Sequence, residues 1–145
     1  MEKIAIKEAI ASGEWLQYLE KDVNMKIRIL SIRNVDLAEI DDINEVNNNL
    51  PLSSSKLLML GTEIINVSRV TNYPPKLLLK DQDDFQFAEL EDSHLKICSD
   101  FAHIHHLYVP DLIPKLKYKV EYLFLVPDDD AKYYIDTPEG TIKTL

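Results

Sequence analysis

Three histidines lie close enough in the sequence to bind one metal ion. They occur in the segment Asp100-Phe101-Ala102-His103-Ile104-His105-His106. On a strand, His103 and His105 would point to the same face, and imidazoles in that arrangement can hold one zinc or iron ion. His94 or Asp100 would complete such a set. The pattern supports one hypothesis, a metal-dependent enzyme that uses His103, His105 and His106.

The surrounding residues argue against that hypothesis. The β-sandwich cupins combine a His-X-His strand with a glutamate a few residues later and a second, glycine-framed motif that ends in histidine. Here His105 is followed by Tyr108, Val109 and Pro110 without a glutamate, and no second motif occurs. We therefore expect no tightly bound metal and no cofactor. The alternative is a partly solvated histidine cluster at the end of a strand.

Nucleophilic catalysis finds little support in the sequence. There is no Gly-X-Ser-X-Gly motif. The single cysteine, Cys98, alternates with Leu95 and Ile97 in the manner of a strand residue, and such a cysteine usually packs rather than reacts. We therefore expect that the protein is not an enzyme.

Carboxylates are frequent in the predicted turns, but their spacing matches no metal motif. The stretch 81–92 lacks the ligand spacing and central glycine of an EF-hand loop. Most of these groups are expected to be solvated, and the rest to form an acidic face for a basic partner. Tyr133 and Tyr134 point in opposite directions on a strand, so one of them is an interface candidate. The predicted partner-binding residues are Asp81, Asp83, Asp84, Asp128, Asp129, Asp130, Tyr133 and Tyr134.

The net charge of -9 over 145 residues disfavours several classes of partner. Nucleic acids and anionic membrane surfaces attract clustered Lys and Arg, and no two basic residues are adjacent in this sequence. No apolar stretch is long enough to span a membrane. Met1-Glu2-Lys3 does not begin a signal peptide, so we expect a cytoplasmic protein, or a secreted one if a signal peptide has been removed.

The pattern of apolar residues predicts one mostly β domain over residues 1–145. Residues 1–22 are ambiguous between a short helix and a strand with a turn, while residues 23–145 are predicted to form an antiparallel β-sandwich of about seven strands. Alternation over residues 23–32 changes phase at Leu30, which indicates a β-bulge or an edge crossing. Residues 36–55 form a connection with one possible helical turn, and a long apolar run covers residues 57–70.

The most regular predicted strand covers residues 115–126. Leu116, Tyr118, Val120, Tyr122, Phe124 and Val126 share one face, and the other face begins with three lysines. We expect this strand to be central in its sheet and to form one wall of the core. A shorter strand around Tyr133 is expected to be the last one.

Residues 57–136 resemble bacterial telokin-like, immunoglobulin-like domains of unknown function. The similar pieces are Ile64-Ile65-Asn66-Val67-Ser68, then Phe85-Gln86-Phe87, and the run from Pro114 to Asp130. The last of these ends Phe124-Leu125-Val126-Pro127-Asp128, and that family also closes a long alternating strand with Val-Pro and a charged turn. The glycine that follows the proline in the family is Lys115 here. The resemblance implies an immunoglobulin-like sandwich without an assigned activity.

The leading functional hypothesis is a non-enzymatic protein-binding module of bacterial or phage origin. The first alternative is an acidic antagonist, either an immunity protein against a toxin or a phage-encoded inhibitor. Its acidic charge would then complement a basic active site. The second alternative is the histidine-based metal enzyme.

Overall fold

The computed structural model describes residues 3–35, 40–41, 52–90, 96–97 and 111–145. Eleven strands and one α-helix occur among these residues. In chain order they are β1 (Ile4–Ala5), α1 (Ile6–Ser12), β2 (Trp15–Glu20), β3 (Val23–Val35), β4 (Ile40–Asp41), β5 (Ser55–Asn66), β6 (Leu78–Lys80), β7 (Gln86–Ala88), β8 (Lys96–Ile97), β9 (Lys117–Pro127), β10 (Tyr134–Asp136) and β11 (Thr141–Thr144), with a 3-10 turn at Leu52–Ser54 before β5.

The N-terminal segment contains both structures that its sequence allows. It begins with the two residues of β1 and continues directly into α1, which buries Ile6 and Ala9. The helix ends at Gly13, which has a φ of 64° and donates its backbone N–H to the carbonyl of Ala9. Glycine adopts this left-handed conformation without the strain that a Cβ would cause. The turn then leads into β2.

One sheet has five strands in the order β11-β2-β3-β5-β9, and every neighbouring pair is antiparallel. The expected bulge is confirmed: the register of β3 against β5 shifts between Ile29 and Ser31. Leu30 is therefore the extra residue that changes the phase of the apolar pattern. Each strand of this sheet contributes buried residues from one face to the core.

The second sheet has four strands in the order β1-β10-β6-β7. Its inward side chains include Leu79 and Ile135, which pack in the same cluster as Met25, Leu60 and Tyr122 of the five-stranded sheet. A separate antiparallel pair joins β4 to β8. Two antiparallel sheets that bury one shared apolar layer give a mostly β architecture that fits a β-sandwich.

The expected central position of β9 stays a prediction. Among the described residues it is the last strand of its sheet, paired with β5 along one side and joined only at Phe124 by a single bridge to Glu89 on the other. The core face is nevertheless right from Val120 onward, because Val120, Tyr122, Phe124 and Val126 are buried. Such a face is set by packing against the opposite sheet, and an edge strand can supply it as well as a central one.

The ends of two predicted strands also differ from the structure. Leu116 was assigned to the core face, but it precedes β9 and is 51% exposed. The apolar run to residue 70 ends as a strand at Asn66, because the chain turns there. The strand β11 was not predicted. It follows the turn at Gly140 and pairs with β2.

Candidate functional site

The predicted metal ligands lie outside the described residues. These ligands are His94, Asp100, His103, His105 and His106. Cys98 also lies outside the described residues. Within the described ranges, no group of three or more histidine, cysteine, aspartate or glutamate side chains is placed to hold a metal ion. In the same ranges, no helix is long and apolar enough to cross a membrane.

The turn between β6 and β7 is shaped by Asp81. Its carboxylate accepts the backbone N–H groups of Asp83 at 2.9 Å and Phe85 at 3.0 Å, and the side chain is buried. An aspartate that accepts backbone N–H groups further along is the usual way this residue type fixes a tight turn. Asp81 therefore holds the turn, while Asp83 and Asp84 are exposed.

The loop between β9 and β10 carries three consecutive exposed aspartates, Asp128, Asp129 and Asp130. The Asp129 carboxylate accepts the N–H of Ala131 at 3.2 Å, and its backbone carbonyl accepts the Lys56 ammonium at 2.7 Å. The loop thus has a defined conformation, and its carboxylates remain at the surface.

The fold brings these two acidic turns together. Because β6 and β10 are antiparallel with Lys80 opposite Tyr134, the turn after β6 lies beside the loop before β10. The Gln82 side chain accepts the N–H of Lys132 at 2.9 Å across this junction. We call Asp83, Asp84, Asp128, Asp129 and Asp130 the acidic end of the domain. Residues more than 40 positions apart in sequence therefore act as one charged surface.

The two tyrosines beside the acidic end point in opposite directions, as expected from strand alternation. Tyr133 is buried, with its ring edge-on to Phe87 and 6.1 Å between the ring centroids. Tyr134 is half-buried, and the ammonium groups of Lys3 and Lys132 lie 5.5 and 5.4 Å from its ring centroid. Lys3 also pairs with Asp84 at 3.2 Å. Tyr134 therefore contacts the two lysines that border the acidic end.

A surface that the sequence did not predict lies at the other end of the domain. Five large apolar side chains are exposed on the two loops that precede β6 and β9. They are Val67 (39%), Val70 (64%), Tyr73 (78%), Ile113 (51%) and Leu116 (51%). We call them the apolar loop patch. The prolines at positions 74, 75 and 114 mark these segments as loops, and that was the available sequence indication.

The two loops of the patch are bonded to each other. Asn72 and Leu112 exchange backbone hydrogen bonds of 3.2 and 2.7 Å in an isolated antiparallel bridge. Leu112 points into the core, so Tyr73 and Ile113, which flank the bridge diagonally, share its outward face.

Asn66 connects both loops from beneath. Its amide donates to the carbonyls of Val70 and Leu112, each at 2.9 Å, and its side-chain oxygen accepts the N–H of Ser68 at 2.9 Å. The residue is fully buried. Asn66-Val67-Ser68 matches a glycosylation sequon, but an amide in this position has no room for a glycan.

No protein-family model, curated protein or solved structure matches this chain.

The apolar loop patch and the acidic end are well separated. Ile113 and Leu116 precede β9, and Asp128 follows it. A strand of 11 residues spans about 35 Å at the usual rise per residue. The domain therefore has two chemically different ends, one apolar and one anionic.

Proposed function

We propose that this protein is a non-enzymatic protein-binding module and that the apolar loop patch is its contact surface. The observation that carries the proposal is the exposure of five large apolar side chains on two adjoining loops. Contiguous exposed apolar surface on a folded domain usually marks an interaction site.

The construction of the patch suits rapid, specific binding. The Asn72–Leu112 bridge and the buried Asn66 hold both loops in place before a partner arrives, so little conformational entropy is lost on association. Tyr73 offers the largest exposed fraction in the patch. Aromatic residues of this kind are common among the residues that dominate binding energy. Tyr73 is therefore the proposed anchor.

The test is affinity capture from the source cells, followed by measurement of the captured protein's dissociation constant. Tyr73→Ser should weaken binding by about 30-fold or more, the effect of losing an energetically dominant side chain. Phe85→Ser is the matched control, because Phe85 is 67% exposed but lies in the turn at the acidic end.

The proposal is supported only by a partner that binds Tyr73→Ser more weakly than it binds Phe85→Ser. Equal loss of binding in both variants, or in neither, would overturn it. Sedimentation of the purified protein adds a second check: a dimer that dissociates in Tyr73→Ser would assign the patch to self-association instead.

The acidic end favours a second candidate function, an antagonist of a basic protein. Its support is that five exposed aspartates from two turns converge there, on a chain with a net charge of -9. Such a surface would attract a cationic partner and speed its association.

The antagonist candidate predicts a salt-dependent association rate. Replacing Asp83, Asp84, Asp128 and Asp130 with asparagine should slow association of a basic partner and reduce its dependence on salt, while dissociation changes less. An association rate that is unchanged by these replacements would contradict this candidate.

We also propose that the sandwich has immunoglobulin-like connectivity, which the resemblance of residues 57–136 implies. Two facing antiparallel sheets are compatible with it. A crystal structure of the full chain would test this connectivity, and a strand order without a Greek key would refute it.

A further inference from the structure

A cavity of about 650 Å³ lies among α1, the end of β3, the start of β5 and the loop before β10. Its apolar lining comes from α1, β3, β5 and the residue before β10: Ile6, Ile32, Leu58 and Tyr133. Cavities of this size commonly hold small organic molecules. The site is distinct from the apolar loop patch, which lies beyond the other end of β9, and it borders the acidic end, whose Asp130 is one of its lining residues.

The charged residues around the cavity have the opposite balance from the chain as a whole. Among the described residues that line it, four are cations, Lys7, Arg33, Lys56 and Lys132, and two are anions, Glu8 and Asp130. The chain carries a net charge of -9. A local excess of positive charge in so acidic a protein favours an anionic ligand.

Two of these cations keep their charge available for a ligand. Lys56 donates to the backbone carbonyl of Asp129, which satisfies one donor without neutralising the ammonium charge. Lys7 forms no ion pair among the residues that the structure describes. Lys132, in contrast, is 3.5 Å from the Glu8 carboxylate. Lys7 and Lys56 are therefore the groups to which an anion would bind.

Tyr133 adds a polar group to the apolar wall. Its hydroxyl is buried and has no hydrogen-bond partner within the described part of the chain. Burial, together with the charges of Asp129 and Asp81, raises the pKa of Tyr133 to about 12. The hydroxyl is therefore a proton donor at neutral pH. A ligand oxygen that reached it after a small movement of the ring would complete its hydrogen bonding.

We propose that this cavity binds a small amphiphilic carboxylate, with its apolar tail or ring against Ile6, Ile32 and Leu58 and its anionic group at Lys7 and Lys56. A ligand that is only anionic would make no apolar contact with the wall. A ligand that is only apolar would leave the lysines without a counter-charge. Both features are needed to select one chemical class.

The experiment is a titration of the full chain with decanoate, followed by calorimetry and by chemical-shift changes in NMR spectra. Decanoate should saturate one site, whereas decyltrimethylammonium, which has the same tail and the opposite charge, should not. Inorganic phosphate should not compete with decanoate. Binding of both surfactants with equal affinity, displacement by phosphate, or failure of decanoate to saturate a site would overturn the proposal.

Two variants locate the site. Lys7→Glu should weaken decanoate binding by about fivefold or more, while Lys143→Glu, the same change at an exposed lysine of β11, should leave it unchanged. Ala131→Phe places a ring into the cavity lining and should abolish binding. If this variant does not fold, the lysine pair still decides the result, because equal affinities in the two lysine variants would refute the site.

Discussion

Replacing Asn66 with aspartate should destabilise the domain more than replacing it with alanine, although aspartate has the same shape as asparagine. The reason is that both Asn66 donors are used. The amide nitrogen lies 2.9 Å from each of two carbonyl oxygens, those of Val70 and Leu112. A carboxylate oxygen in its place would face two acceptors and would carry a charge into a fully buried position.

The structure sets the size of each effect. Asn66→Ala removes three hydrogen bonds, each worth about 0.5–1.5 kcal/mol net. The Val70 and Leu112 carbonyls each keep a second donor, from the side chain and the backbone N–H of Asn72. The cost of the alanine variant should therefore be about 2–3 kcal/mol. Asn66→Asp should cost several kcal/mol more, a large part of the roughly 5–15 kcal/mol that a domain has.

Urea unfolding, followed by the fluorescence of the single tryptophan, Trp15, measures these differences. Asn34→Asp, the same change at an exposed position of β3, is the control and should shift the free energy of unfolding by no more than about 0.5 kcal/mol. An Asn66→Asp variant as stable as Asn66→Ala at neutral pH would refute the reasoning.

The pH dependence of the aspartate variant gives a second check. Burial and the two carbonyls should raise the pKa of the introduced carboxyl group above its unfolded value. A group with a raised folded pKa loses stability as pH rises, so the deficit of Asn66→Asp should shrink as the pH is lowered. A deficit that grows on acidification would show that the carboxyl group is not held among acceptors.

Three further predictions concern the core, the turns and one ion pair. Val120→Ala removes two methyl groups from a fully buried position and should lower the free energy of unfolding by about 1–3 kcal/mol in urea titrations; no loss would place this face outside the core. Gly140→Ala should lower the melting temperature more than Gly13→Ala, because a Cβ at Gly140 would clash with the backbone oxygen of Leu19, whereas one at Gly13 meets nothing within 4 Å. Both glycines have positive φ, so equal effects would exclude the steric cause. The hydrogen bond from Arg28 lowers the pKa of the Glu63 carboxyl, so its stabilisation is complete above the unfolded pKa of about 4.5 and is lost as pH falls through the folded value. The stability gap between wild type and Glu63→Gln should therefore close as the pH is lowered below about 4.5 in pH-dependent unfolding, and a constant gap would contradict the assignment.

The regular parts of the fold could be predicted from the sequence because burial of one strand face leaves a period of two. This holds for β3, including its bulge at Leu30, and for β9 from Val120 onward. The position of a strand within its sheet has a weaker effect on the local sequence pattern. The alternation within β9 predicts correctly which of its side chains are buried. The pairing along its two sides depends on distant residues such as Glu89, which no local pattern reveals.

The candidate surfaces also combine features that the local sequence predicts with features that depend on the folded chain. Each acidic turn was predicted from its own aspartates, but their meeting depends on the register of Lys80 with Tyr134, which is a property of the folded sheet. The apolar loop patch was missed because Val70 and Leu116 extend apolar strand patterns and look like core residues in sequence. Their exposure follows from the turn at Asn66 and from the late start of β9.

Among the residues that the structure describes, β9 is the last strand of its sheet, and this position bears on how the protein behaves at high concentration. An unpaired strand edge can recruit the same edge of another molecule and start an aggregate. At one end of β9 the N–H of Leu90 donates a hydrogen bond to the carbonyl of Leu123. At the other end, Lys117 and Lys119 are exposed, so two molecules aligned edge to edge would bring like charges together. Within the described part of the chain, Lys117 and Lys119 therefore oppose edge-to-edge pairing of two copies along the first half of β9.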